Sequence, residues 1–224
     1  MPLQINKKIF FYIFLFIFLG TLNNKNFNKI ELFNLEDIKV IGLKNDENRQ
    51  LINQLEFFRF KNLYFLDQFE IESILNSNNL IKDYSIFKRY PSTIEINVNR
   101  ASFLAKVQKN GKNFYLGSNG KLIENQKNRE ELPFIFGEFN NKDFFNLVTV
   151  INNTKFDYKE IKNLFFFSSG RWDIETRSGV IIKLPRDKLK ESFDLTLRIL
   201  NQNNFNQIEI IDVRQKNQVI LNEQ

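Results

Sequence analysis

Ile9 to Leu19 are eleven consecutive residues whose only polar side-chain atom is the Tyr12 hydroxyl, and Gly20, Thr21 and Leu22 extend the run to fourteen. No other stretch constrains the chain so much. As a helix it has no polar face, so it belongs in lipid or inside a large core. At ~1.5 Å per residue the run covers ~21 Å, short of the ~30 Å hydrocarbon core. Starting the helix at Ile5, with Lys7 and Lys8 snorkelling, lengthens it to ~27 Å. The segment leaving the run, Phe18-Leu19-Gly20-Thr21-Leu22-Asn23, lacks the small-x-small pair of a cleavage site. The run from Ile9 through Leu19 to Leu22 is therefore expected to be an uncleaved transmembrane anchor. Residues 1–8 form a short cytoplasmic tail, and everything after the anchor lies outside the cytoplasm. Lys7 and Lys8 face Lys25 and Lys29 across it, a weak positive-inside bias.

Behind the anchor and a polar spacer (residues 23–33), two hydrophobic periods interleave. Leu35 to Ile41 reads as a strand ending at Gly42. Glu47 to Leu55 is helical, with Leu51, Ile52 and Leu55 on one face. Asp67 followed by Glu70 resembles a capping box opening a second helix, whose apolar face is Ile71, Ile74 and Leu75. Ile81 to Lys88 is a strand, Tyr90-Pro91-Ser92 a turn, and Ile94 to Asn99 alternates strictly, the mark of a half-buried strand. The order strand–helix–helix–strand–strand defines a small α+β module over residues 34–100.

Residues 101–224 read as a second, β-rich domain with a mixed or antiparallel sheet and flanking helices. Asn110-Gly111 and Asn119-Gly120 sit between apolar alternations, a strong hairpin signal. Lys142 to Ile151 and Lys188 to Asn201 are the helices. Leu189, Phe193, Leu197 and Leu200 supply the apolar stripe of the second. Strands are expected at Leu164–Ser168, Trp172–Thr176, Val180–Leu184, Ile208–Val213 and Val219–Leu221.

The chain of 224 residues has no Cys and no His. Disulfide scaffolds, thiolate nucleophiles, Cys/His zinc sites and imidazole-based triads are excluded. The eight glycines form no phosphate-cradling loop. Ser168-Ser169-Gly170 has no Lys or His partner and reads as a turn. Asp173/Glu175 and Glu209/Asp212 are carboxylate pairs of the kind used in glycoside hydrolysis, but Asp173 and Glu175 share one strand face, read as solvated. Trp172, alternating with Ile174, reads as core. The net charge, 32 − 26 = +6, is dispersed in mixed runs such as Lys159-Glu160-Ile161-Lys162 and Arg186-Asp187-Lys188-Leu189-Lys190. Those suit a solvated face rather than a nucleic-acid site. Val219-Ile220-Leu221 differs: a final strand is often a sheet edge, whose unpaired backbone groups another chain can join.

Taken in order, several short stretches resemble the FtsQ/DivIB family of bacterial division proteins. Leu35-x-x-Ile38-Lys39-Val40-x-Gly42 resembles the opening strand of that family's POTRA module. Lys88-Arg89-Tyr90-Pro91-Ser92-Thr93-Ile94 is similar to its basic-x-Pro-x-Thr-aliphatic turn. Phe103-Leu104-Ala105-Lys106-Val107-Gln108 resembles the start of its β-domain, and Leu132-Pro133-Phe134-Ile135-Phe136-Gly137 its Leu-Pro-x-x-x-Gly segment. Gly170-Arg171-Trp172-Asp173-Ile174 through Gly179-Val180-Ile181-Ile182-Lys183-Leu184-Pro185 is similar to a proteobacterial Arg-Trp…Gly…Lys-Leu-Pro pattern. Ile211-Asp212-Val213-Arg214 resembles the Asp-aliphatic-Arg before the terminal strand. Asn99 and Lys106 depart from the pattern, standing where an acidic residue and an aromatic are usual.

The resemblance implies a non-enzymatic inner-membrane scaffold at the division septum, with its bulk in the periplasm. It uses no cofactor, metal, nucleic acid or small-molecule substrate. Its implied partners are the periplasmic segments of FtsB and FtsL and other divisome proteins. Carried over by position, Arg214, Val219, Ile220 and Leu221 are the partner edge, joined by strand addition. Two other readings compete: a POTRA-containing assembly or secretion factor, and an anchored glycan enzyme using Asp173, Glu175 or Asp212.

Overall fold

The computed structural model describes residues 7–22, 33–124, 131–200, 208–215 and 218–223. The apolar run forms helix α1 (Lys7–Leu22), 16 residues long and thus ~24 Å. Among the described residues, no helix is long and apolar enough to cross a membrane. The described helix opens at Lys7, and the expected start at Ile5 lies outside the described residues. Ile9 and Leu19 are exposed on it, and Leu22 ends it.

The chain divides into two compact units. One comprises residues 1–77 and 83–99, the other residues 78–82 and 100–224. In the first, β1 (Asp37–Ile41), α2 (Asn45–Leu55), α3 (Gln68–Ser77), β2 (Ile81–Arg89) and β3 (Thr93–Arg100) follow in the expected order. The three strands form one sheet in the order β1-β3-β2. β1 runs parallel to β3, pairing Asp37 with Thr93 and Ile41 with Asn97. The central place of β3 explains its strict alternation: Ile94, Ile96 and Val98 are buried on one face. α2 packs on β1 and against α3, burying Leu51 and Leu55 while α3 buries Ile71 and Leu75.

Local chemistry sets these boundaries. α2 starts two residues before the expected Glu47 because Glu47 reaches back: the Lys44 amide donates to its Oε2 at 3.1 Å. Asp67 opens α3 by accepting from the Phe69 amide at 2.9 Å. The expected second half of that capping box is diverted, since Glu70 Oε2 accepts from Lys61 Nζ at 3.3 Å. Gly42 ends β1 with φ +114°, and a Cβ there would lie 1.8 Å from the carbonyl oxygen of Val98. Only glycine fits that approach.

The second unit contains β4 (Phe103–Lys109), β5 (Lys112–Gly117), β6 (Leu122–Glu124), β7 (Phe134–Phe136), α4 (Asn141–Asn152), β8 (Ile161–Phe166), β9 (Trp172–Thr176), β10 (Ile181–Lys183), α5 (Leu189–Leu200), β11 (Ile208–Asp212) and β12 (Ile220–Glu223). The described strands make one nine-stranded sheet, β12-β11-β10-β9-β8-β7-β4-β5-β6. Asn110 and Gly111, with φ of 52° and 75°, close the β4–β5 hairpin in the left-handed geometry that Asn-Gly favours. β7 lies parallel to both β4 and β8, and β10 parallel to β11. Each of the steps β7 to β8 and β10 to β11 needs a crossover, supplied by α4 and α5.

Those helices touch each other and cover one face of the sheet. Phe144, Leu147, Val148 and Ile151 of α4 and Leu189 and Phe193 of α5 form one cluster with Ala105, Val107, Ile135, Leu164, Trp172, Ile174, Ile182 and Ile211. Trp172 is core as expected, its ring packed on Phe139, Phe144 and Phe166. α4 is capped by Asn140, whose Oδ1 accepts from the Asp143 amide at 2.9 Å.

Candidate functional site

The outermost strand, β12, pairs antiparallel with β11: Asp212 lies opposite Ile220, Ile211 opposite Leu221 and Ile210 opposite Asn222. Among the described residues its other side carries no strand. Alternation divides the four expected partner-edge residues. Val219 and Leu221 are half-buried against the main core cluster. Ile220 is 53% exposed. Arg214, just beyond β11, keeps about a third of its side chain exposed. Ile220 and Arg214 share the rim of an open cleft of about 780 Å³, also lined by Arg171, Arg186, Lys188, Glu191, Leu195 and Gln218.

Beneath the cleft, three adjacent strands each place a charged residue between two core residues. They are Trp172-Asp173-Ile174, Ile182-Lys183-Leu184 and Ile211-Asp212-Val213. The register aligns them: Asp173 opposite Lys183 on β9–β10, and Lys183 beside Asp212 on β10–β11. The row Asp173–Lys183–Asp212 therefore runs across the sheet face opposite the helices and ends at Ile220. That repeated apolar–charged–apolar triplet was the signal in the sequence for this row, and the expectation of a solvated Asp173 missed it. Asp173 is buried, because Phe165 and Lys183 flank it on the neighbouring strands.

The two carboxylates differ. Arg214 Nε donates to Asp212 Oδ1 at 2.8 Å and to Oδ2 at 2.9 Å, its NH2 donates to Oδ2, and its backbone amide donates to Oδ1 at 3.1 Å. These bonds hold the Asp212 carboxyl below the usual carboxylate range and raise the guanidinium. Asp173 is pushed up by burial, against the pull of Arg171, Arg214 and Lys183. Arg171 Nε lies 3.8 Å from Asp173 Oδ1. Both atoms are buried and make no hydrogen bond among the described residues. The Arg171 guanidinium rests instead over the Phe167 ring at 4.3 Å. Glu175 is held down by Lys162 and Asn163, each donating to it at 2.7 Å.

Chemically this arrangement clamps rather than reacts. Asp212, the one of the three carboxyls named for glycan chemistry that lines the cleft, is ionised and saturated by its arginine. Glu175 is tied in the same way, and the raised Asp173 lies outside the cleft lining. Among the described residues no group of three or more Asp or Glu is placed to hold a metal.

Comparison with known proteins decides the family. A family model described as "POTRA domain, FtsQ-type" matches residues 33–99, and one described as "Cell division protein FtsQ/DivIB, C-terminal" matches residues 105–214. The chain belongs to the FtsQ/DivIB family. It is similar to the cell division protein FtsQ of Rickettsia bellii (strain RML369-C), 28% identical over 191 residues that cover 83% of this chain and 70% of that protein. FtsQ of Rickettsia conorii (strain ATCC VR-613 / Malish 7) is 26% identical with the same coverage. FtsQ of Rickettsia prowazekii (strain Madrid E) is 24% identical over 194 residues. The first unit thus corresponds to an FtsQ-type POTRA domain, and the ion-paired edge, as far as Arg214, falls within the FtsQ/DivIB C-terminal match.

Proposed function

We propose that this division protein is a bitopic, non-enzymatic scaffold of the inner membrane. Residues 9–22 of α1 anchor it, with a cytoplasmic tail of residues 1–8 and a spacer of residues 23–33. A POTRA module (34–100) and a β-domain (101–224) stand in the periplasm. There it binds FtsB and FtsL and joins early to late divisome proteins at the septum. The observation that carries this reading is β12. It is an outermost strand whose Leu221, with Val219 just before the strand, packs against the core, while Ile220 and one row of backbone groups face outward. A partner strand added there would gain ladder hydrogen bonds, with Ile220 offering a side-chain contact. Arg214, locked on Asp212, holds the cleft beside that strand in one geometry.

The test titrates the full chain in detergent with the periplasmic segments of FtsB and FtsL, beside an Ile220→Pro variant whose fold is checked by Trp172 emission. Proline removes a ladder donor, so the variant is expected to bind about tenfold more weakly or worse. Equal binding by both would overturn strand addition at β12.

A further inference from the structure

Exposed aromatic rings gather in one stretch of the first unit. Between the end of α2 and the first turn of α3, Phe57, Phe60, Tyr64, Phe65 and Phe69 are all more than half exposed, Phe65 at 81%. They are not core residues that failed to pack. The same stretch buries Phe58, Leu63 and Leu66, so the loop is seated by one set of side chains and displays another. Phe60 is held outward in the left-handed region, φ 66°, which a bulky residue seldom takes. Lys61 lies over the Phe57 and Phe58 rings at 5.0 and 4.8 Å. Lys88 braces the loop by donating to the Leu66 carbonyl at 2.8 Å.

The loop's position is set by backbone bonds. The Phe60 amide donates to the Leu35 carbonyl at 2.9 Å, the Leu35 amide to Lys61 at 2.9 Å, and the Leu63 amide to Phe33 at 2.7 Å. The aromatics therefore flank residues 33–35, where the chain arrives from the α1 side. Phe33 adds a further exposed ring there, edge-on to Tyr90. Residues 23–32, even fully extended, reach only about 36 Å. If α1 lies in a bilayer, residues 33–35, on which this loop is seated, start within roughly that distance of its surface.

Phe and Tyr beside the Lys61 stem, on a short tether from an apolar helix, are the chemistry of a membrane–water interface. We infer that residues 57–69 dock on the lipid interface, with Phe60, Tyr64, Phe65 and Phe69 inserted at headgroup level; this rests on the reading of α1 as an anchor. The docking would hold the first unit against the membrane.

The absence of cysteine allows a direct test. Phe65→Cys, Phe16→Cys and Ser77→Cys variants of the full chain each carry one environment-sensitive fluorophore. Each is reconstituted into phosphatidylethanolamine/phosphatidylglycerol vesicles containing spin-labelled lipid. Ser77 lies at the other end of α3, ~12 Å along the axis from Phe69. The expected result is a blue shift and loss of most emission at 65 and 16, with position 77 unchanged. Quenching at 16 alone overturns the docking, leaves the anchor standing and assigns the aromatic patch to a protein partner. Quenching at neither overturns both readings. Quenching at 65 without 16 supports docking and removes the anchor. Equal quenching at 65 and 77 overturns the assignment to this loop.

Discussion

Replacing Arg214 with Ala strips Asp212 of its clamp. Asp212 loses the two Nε bonds of 2.8 and 2.9 Å and the bond from NH2; with the arginine in place its side chain is only 10% exposed. A hydrogen bond to a charged group contributes about 1.5–3 kcal/mol, and a cation a third exposed to solvent keeps the low end of that range. With the carboxylate left poorly solvated, the expected loss is about 2 kcal/mol. At a urea m-value of about 2 kcal/mol/M, the unfolding midpoint falls by ~1 M. Trp172 is the single tryptophan and is buried in the second unit, so its emission reads the unit that contains the clamp. The effect also has a pH signature. Arg214 lowers the folded pKa of Asp212 relative to an unfolded value near ~3.9. The stabilisation is therefore present above that value and lost as pH falls through the folded pKa. Wild type and variant should differ by about 2 kcal/mol at neutral pH and converge in acid. A difference under about 0.5 kcal/mol at neutral pH, or one that does not narrow in acid, would refute the reasoning.

Three further outcomes follow from the packing. Phe193→Ala empties a fully buried site packed on Phe156 and should cost about 3–5 kcal/mol in urea unfolding followed at Trp172. Gly42→Ala forces a methyl to within 1.8 Å of the Val98 carbonyl oxygen; it should speed hydrogen exchange in the first unit and leave the amides of β8 and β9 unchanged, since those lie in the other unit. Burial raises the Tyr158 phenol, whose hydroxyl donates to the Leu104 carbonyl at 3.0 Å. Its stabilisation is full below the unfolded pKa of about 10 and is lost as pH rises through the folded value, so in an alkaline absorbance titration the Tyr158 phenol should ionise only above about 10.

Elements with a clear period were legible from sequence. β9 falls on the expected residues, α2 opens two residues early and closes at the expected Leu55, α4 differs by one residue at each end, and α5 opens one residue late. Strand partners were not legible. β7 has three residues and no alternation to count, yet it joins β4 to β8 as their parallel neighbour. The parallel step from β10 to β11 depends on α5 lying across the sheet, a tertiary fact. At the candidate site the terminal strand and Arg214 could be named in advance, but the burial of Asp173 could not. Alternation with Trp172 and Ile174 correctly assigns it to the opposite face, and only the register with Lys183 shows that this face is closed there.

The short seam between β10 and β11 has a consequence for how the edge fails. Among the described residues, three register pairs, Ile181–Ile210, Ile182–Ile211 and Lys183–Asp212, and the Val213 amide donating to the Lys183 carbonyl at 3.0 Å join the β11–β12 hairpin to β10. A hairpin at the end of the sheet, held by so few pairs, can peel away without breaking any other strand pairing, ahead of global unfolding. Peeling would turn β10, normally an interior strand, into a raw edge flanked by Ile182 and Leu184, a template for misassociation between copies. Any molecule that grips β12 only while the hairpin is seated would slow that opening in proportion to its occupancy. A bound partner strand would then act as a latch on the sheet, and loss of the partner would leave the protein with a shorter working life as well as an idle interface.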